Sequence, residues 1–273
     1  MVTNNTDINT TNKSLSIQIN LSGLSFCILN CDTNTIDELE SVIFSEKKNP
    51  ETLLDAVKHE FNNNAKLHQE FKNIIVIHQN LWQTIVPKAL FKEDNLTDYL
   101  KFNTKILATD FIGFDEITPL EALSVYVPYT NVNNYIFEQF GSFTYKHSST
   151  VLLETLEKEE KNKDKKTVYL NIENDSFDIA VFNEGKLILF NSFDYITPED
   201  FIYYVLFTFE QLQLNPEQVE TFFTGKITEQ DALYKLAYTY IRHVAIAKTD
   251  YKFQFTNTPF QKHYHFNLIN AMS

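Results

Sequence analysis

Glu173 and Asp175 flank a single asparagine in a polar turn. Two carboxylates at that spacing are the hard oxygen ligands that a magnesium ion takes while keeping several waters. The plainer reading is an acidic hairpin turn facing solvent. Gly225-Lys226 closes an apolar run, where a glycine lets backbone approach a nucleotide, although a glycine after a strand is more commonly just a turn. His263 and His265 would point to one side of an extended segment and make half of a zinc site. With no third or fourth ligand nearby in sequence, they read as surface histidines. Cys27 as a nucleophile would need a histidine and an orienting group that the sequence does not place beside it, so it reads as a small core residue.

Several chemistries are excluded by what is missing. The chain has five glycines, none close to another, whereas phosphate cradles need clustered glycines so that several N–H groups converge on one anion. The Walker loop, the dinucleotide fingerprint and the nucleophile elbow are absent. The formal net charge is −13 and Arg242 is the sole arginine. Such a field repels polyanions, so neither nucleic acid nor an anionic membrane is an expected partner. No run of about 20 apolar residues and no secretory signal is present. Cys27 and Cys31 lie too far apart along one strand to pair. A reducing cytoplasm is the expected setting.

The elements that would carry these residues come in two rounds. Residues 1–13, rich in Asn and Thr, have nothing to bury and read as a disordered tail. Leu15 to Asn20 and Leu24 to Asn30 alternate as a hairpin, and Thr35 to Phe44 makes a third strand. A helix opens at Pro50, and Asn73 to His78 is a short apolar strand. An offset of 153 residues lays Val168 on Leu15 and repeats the hairpin. Thr197-Pro198 then caps a second helix, and Val219 to Thr224 is the matching strand. Between the copies lie an irregular region from Leu81 to about Leu120, a strand at Leu123 to Val127, a helix at Asn131 to Phe140, a strand at Phe143 to Lys146 and a helix from Ser148. The charged run Glu154 to Lys166 reads as a solvated helix end and hinge. The expected division is an N-terminal lobe over residues 14–165 and a C-terminal lobe over 166–273, both α/β with mixed sheets. A further helix is expected from Thr228 to Tyr238. The aromatic run Phe201 to Phe209 reads as a helix buried nearly all round, and Trp82 as a contact residue.

Two βββαβα units joined by a crossing helix resemble the fold of actin, the Hsp70 nucleotide domain and the sugar kinases. The chain is more closely similar to a bacterial family of uncharacterised proteins assigned to that actin-like ATPase fold. The resemblance rests on Leu15 to Asn30, Asn73 to Phe91 and Asp178 to Tyr195. It implies an Asp-x-Gly turn after the first strand of each lobe, for magnesium and phosphate, and paired glycines for adenosine. The matching positions here are Asn20, Leu21 and Ser22 followed by Gly23, then Glu173, Asn174 and Asp175, then Gly225 alone. All three depart from the pattern. An Asp facing a phosphate pocket repels the anion unless a metal intervenes. The expectation is therefore a non-enzymatic interaction scaffold that binds another protein, without cofactor, its nucleotide loops eroded. The alternative is a protein that binds a nucleotide, ATP with magnesium, or a phosphorylated metabolite, through Asn20, Ser22, Gly23, Glu173, Asp175 and Gly225.

Overall fold

The computed structural model describes residues 12–102, 104–107, 109–257 and 261–273. The expected tail at 1–13 therefore lies outside the described residues except for Asn12, whose carbonyl accepts from the Cys31 N–H, and Lys13, which begins the first strand.

The first round runs β1 (Lys13–Asn20), β2 (Gly23–Asn30), β3 (Thr35–Ile43), α1 (Pro50–Asn63) and β4 (Asn73–His78). Next come β5 (Gln83–Pro87), α2 (Leu96–Leu100), β6 (Gly113–Ile117), β7 (Ala122–Tyr126), α3 (Thr130–Phe140), β8 (Thr144–His147) and α4 (Ser148–Glu160). The second round is β9 (Lys166–Ile172), β10 (Ser176–Asn183), β11 (Lys186–Asp194), α5 (Pro198–Gln211), β12 (Glu220–Gly225), α6 (Ala232–Tyr240) and β13 (His243–Ile246). The two-residue β14 (Gln254–Phe255) and α7 (Phe266–Asn270) follow.

The duplication extends to fine detail. The first sheet has the order β14-β3-β2-β1-β4-β8 and the second β11-β10-β9-β12-β13, so five strands repeat in one order. A bulge interrupts β2 against β3 at Ile28/Leu29, and its counterpart interrupts β10 against β11 at Val181/Phe182. Both first helices begin with proline behind a capping box, formed by Asn49 with Thr52 and by Thr197 with Asp200. The cores correspond as well: Leu15, Ile17, Ile19, Leu24, Phe26 and Ile28 pack beneath Leu53, Val57 and Phe61. Val168, Leu170, Ile172, Phe177, Ile179 and Val181 pack beneath Phe201, Val205 and Phe209. Period-two strands meeting a helix with apolar residues four apart give this two-layer arrangement.

The opposite faces of the two sheets are covered by exchange. Helix α4, which follows the first lobe, lays Leu152, Leu153 and Leu156 on Tyr169, Ala180 and Phe182 of the second sheet. Helix α7, which follows the second lobe, lays Leu268 and Ile269 on Cys27, Leu29, Ile36 and Ile77 of the first. The Ser16 hydroxyl donates to the Leu268 carbonyl at 2.7 Å, and β14 extends the edge of β3. Gln254–Phe255 and Leu268–Ile269, which the sequence reading groups with the second lobe, thus lie on the first sheet.

Four expectations need correction. The region from Leu81 to Leu120 holds β5 and β6, which pair with β7 in a third small sheet ordered β5-β7-β6. Their five-residue length and proline-bearing ends hide the alternation. Helix α6 starts at Ala232, because the Asp231 carboxylate accepts from the Thr228 N–H and hydroxyl and holds those residues in a turn. Helix α5 is buried on one side only: Tyr203 and Phe207 stack on each other in the open. The run Glu154 to Lys166 is solvated except at Leu156, which packs on the second sheet, and at Glu160, which is fully buried and accepts from the Tyr169 hydroxyl and Lys163.

Candidate functional site

The β1–β2 and β9–β10 turns meet at the base of the cleft between the lobes. Ser22 and Asp175 are equivalent positions in the two copies, and they touch: the Ser22 hydroxyl donates to Asp175 Oδ2 at 3.1 Å. The Lys47 ammonium, from the loop before α1, reaches Asp175 Oδ2 at 2.6 Å and lies 3.8 Å from Asp194 Oδ1. Below the turns, the Gln18 amide donates to Glu173 Oε1 at 3.1 Å. Lys226 pairs with Glu173 Oε2 at 3.0 Å.

The amide orientations on the first-lobe side are forced. A carboxylate only accepts, so Gln18 presents Nε2 to Glu173 and, with the same group, to Gln79 Oε1. Asn20 Oδ1 accepts from the Ser22 N–H at 2.9 Å, which leaves its Nδ2 for Gln79 Oε1. Gln79 therefore spends its oxygen on two neighbours. Its NH2 group has no partner among the described residues, although the side chain is buried and lines the cleft.

The equivalent pairs in the two lobes carry different charge. Asn20 and Gln79 form a neutral amide pair, where Glu173 and Lys226 form an ion pair. Around the Ser22–Asp175 contact lie two clefts related by the same approximate two-fold symmetry. The first, about 170 Å³, is lined by Asn20, Ser22, Gln79, Trp82 and Tyr129 on one side and by Asp175, Asp178 and Asp194 on the other, with Lys47 between. The second, about 600 Å³, is lined by Glu173, Tyr195, Lys226, Asp231, Leu233 and His265, and has Ile43 where the first has Asp194. Burial raises the Asp178 carboxyl to about 6, partly offset by hydrogen bonds from the Ser192 hydroxyl at 2.6 Å and the Asn171 amide at 3.0 Å. Asp194 is raised as well, by burial first.

The six sequence-predicted positions divide between these features. Asn20, Ser22 and Asp175 line the first cleft and Glu173 the second. Gly23 lines neither; it sits where β3 crosses closest, and a Cβ there would stand 2.3 Å from the Val42 carbonyl oxygen. Gly225 has φ +79°, and a Cβ would come 2.1 Å from the Ile172 oxygen, so it lets the end of β12 lie against β9. Its neighbour Lys226 turns back to Glu173. Either candidate magnesium carboxylate thus already faces an ammonium group.

His263 and His265 are not in an extended segment. They occupy a 3-10 turn, Lys262–His265, and His263 Nε2 is 2.6 Å from the Ile227 carbonyl oxygen. Burial, then the Lys226 charge, hold His265 down at about 4. Cys27 is buried and its thiol is pushed far up by burial. Trp82 stands edge-on to Tyr129 at 6.0 Å between ring centres. Sequence reasoning missed Lys47, Gln79, Asp178 and Asp194. Only Asp178 left a signal: it falls on a strand between Phe177 and Ile179, at the inward register of Ser25.

Among the described residues no helix is long and apolar enough to cross a membrane. No curated protein matches the chain. Among the solved structures that share its fold, two superpose over most of its length. A protein from Bacteroides thetaiotaomicron with an actin-like ATPase fold and unknown function superposes with a TM-score of 0.74 at 24% identity, over 87% of this chain and 91% of that one. A chain of the PilM–PilN type IV pilus biogenesis complex gives a TM-score of 0.66 at 13% identity, over 95% and 98%. At these identities the likeness is one of fold: an actin-like two-lobed α/β architecture. The sequence match is to a single family over residues 3–244, and the chain belongs to it: the family described as protein of unknown function (DUF3822).

Proposed function

We propose that this protein is a non-enzymatic interaction scaffold on an actin-like fold, and that it works by binding another protein. The observation that carries the reading is the 3.1 Å contact between Ser22 and Asp175, because these are the two turns between which a phosphate chain would have to pass. Cross-lobe bonds from Gln18 to Glu173 and Lys47 to Asp175 reinforce the closure. Magnesium at the buried Glu173 would have to displace Lys226. The first cleft, at about 170 Å³, is below the roughly 300–1,000 Å³ usual for ligand sites, and its three aspartates oppose a phosphate. The similar chain from the PilM–PilN complex gives a precedent for this architecture in a protein assembly.

The second cleft favours an alternative. Its volume of about 600 Å³ and Lys226 suit a nucleotide or phosphorylated metabolite bound without hydrolysis. Thermal unfolding with and without millimolar ATP, ADP or GTP plus magnesium separates the two, since a native-state ligand raises the melting temperature by mass action. We expect no shift. A shift that Lys226→Gln abolishes would establish the alternative. Magnesium-dependent ATP turnover lost in Glu173→Gln would overturn both.

A further inference from the structure

The first cleft has a composition that the closed turns do not explain. Its second-lobe wall presents Asp175, Asp178 and Asp194, its first-lobe wall Trp82 and Tyr129, and among the described residues the one cation lining it is Lys47. That lysine is held loosely: its side chain is 52% exposed, and those of Asp175 and Asp194 are 34% and 59% exposed. Ion pairs so open contribute at most about 1 kcal/mol, so Lys47 exchanges easily with a better cation. Independently, Gln79, 7% exposed, brings an unpartnered NH2 group to the same cavity, and its orientation is fixed by Gln18 and Asn20. That NH2 group opens onto the cleft, where a ligand carbonyl can take the place of water on it.

We infer that the first cleft is a receptor for an arginine side chain presented by a partner protein. Resting on the interaction-scaffold reading, this assigns the chemistry of the partner. A guanidinium carries five donors in a planar fork, binds carboxylates bidentately and stacks on aromatic rings. Asp175 and Asp194 supply the carboxylates, and Trp82 the aromatic surface. The Gln79 amide donates to a backbone carbonyl of the incoming segment. A cavity of about 170 Å³ matches one side chain rather than a whole cofactor. Lys47 acts as a tethered placeholder, keeping the aspartates neutralised until the arginine arrives. The chain's acidity, at −13, draws a basic partner toward the cleft.

Trp82 is the only tryptophan, so its fluorescence reads the cleft directly. The probe is acetyl-Ala-Arg-Ala-amide titrated into the full chain at low salt. The control is the same peptide with citrulline, which keeps the shape and removes the charge. The expected result is a saturable change with arginine and none with citrulline. Lys47→Ala should tighten binding about threefold. Asp194→Asn, at an exposed position that should not disturb folding, should weaken it about tenfold or more. An equal response to citrulline, an unchanged affinity in Asp194→Asn, or no saturable signal even in Lys47→Ala would overturn the assignment. A stronger response to spermidine than to the arginine peptide would also overturn it. None of these outcomes bears on ATP turnover, so the scaffold reading fails or stands separately.

Discussion

The two lobes use one plan, and their differences gather at the cleft. Away from it, equivalent positions hold interchangeable residues: Leu15 and Val168, Val57 and Val205, Phe61 and Phe209 fill the same places in the two cores. At the cleft, Asn20 with Gln79 becomes Glu173 with Lys226, Ser25 becomes Asp178, and Gly23 becomes Ser176. Core positions tolerate any apolar side chain of suitable volume. Positions where the lobes meet cannot both be satisfied by one residue type, because each packs against a different partner. The first lobe has kept neutral amides there and the second has taken on charge.

Substituting one lobe's residue into the other tests this directly. The largest effect is expected from Lys226→Gln, which gives the second lobe the first lobe's amide and leaves the buried Glu173 without its cation. Breaking such a pair costs about 3 kcal/mol, read by urea unfolding at pH 7. The double change Glu173→Asn with Lys226→Gln copies the first lobe completely and should recover most of that loss. A Lys226→Gln variant within 0.5 kcal/mol of the parent would mean the ion pair has no structural weight.

Gly23→Ser, the reverse exchange, should cost about 2 kcal/mol. Its new Cβ meets the Val42 carbonyl, which Ser176 does not meet in the second lobe. Equal stability of this variant would show that β2 and β3 can move apart at their ends.

The smallest effect concerns Asp178. Its folded-state pKa of about 6 lies above the unfolded value of about 3.9, so between these values the folded protein binds the proton more tightly. Acid therefore favours the fold through this group. That contribution is present at about pH 4 and is lost as pH rises through about 6. Asp178→Asn should flatten this part of the stability profile and gain about 1–2 kcal/mol at pH 7. A steeper profile in the variant would contradict the assignment.

Much of this was legible in the sequence, and the reason is local. The hairpins, their following helices and the capping prolines announce themselves within ten or so residues, and the offset of 153 places the two turns on equivalent positions. Two such units joined by a helix resemble the actin-like architecture. What stayed hidden depends on contacts across long stretches of chain. Lys47 sits in a Glu-Lys-Lys run that looks like any surface loop, and nothing local brings it to Asp175. The free amide of Gln79 exists only because of Gln18, Asn20 and Glu173. The return of α7 joins Leu268 to Ser16 across 252 residues, and β14 offers two residues of pattern.

That return has a consequence for how the protein is made. The inner face of the first sheet, carrying Cys27, Leu29 and Ile77, is covered by Leu268 and Ile269, so a ribosome must translate as far as residue 269 before a strand made at residues 23–30 finds its cover. Helix α4 faces no such delay, because the sheet it rests on begins at Lys166, just after the helix ends at Glu160. During synthesis at about 5–20 residues per second, the first lobe therefore cannot finish until Leu268 and Ile269 have been made. For much of that time the nascent chain presents a bare apolar sheet, which is the kind of surface that chaperones hold. The second sheet, whose α4 cover is made before it, can close first, and completion of the first lobe waits for the segment around residue 268.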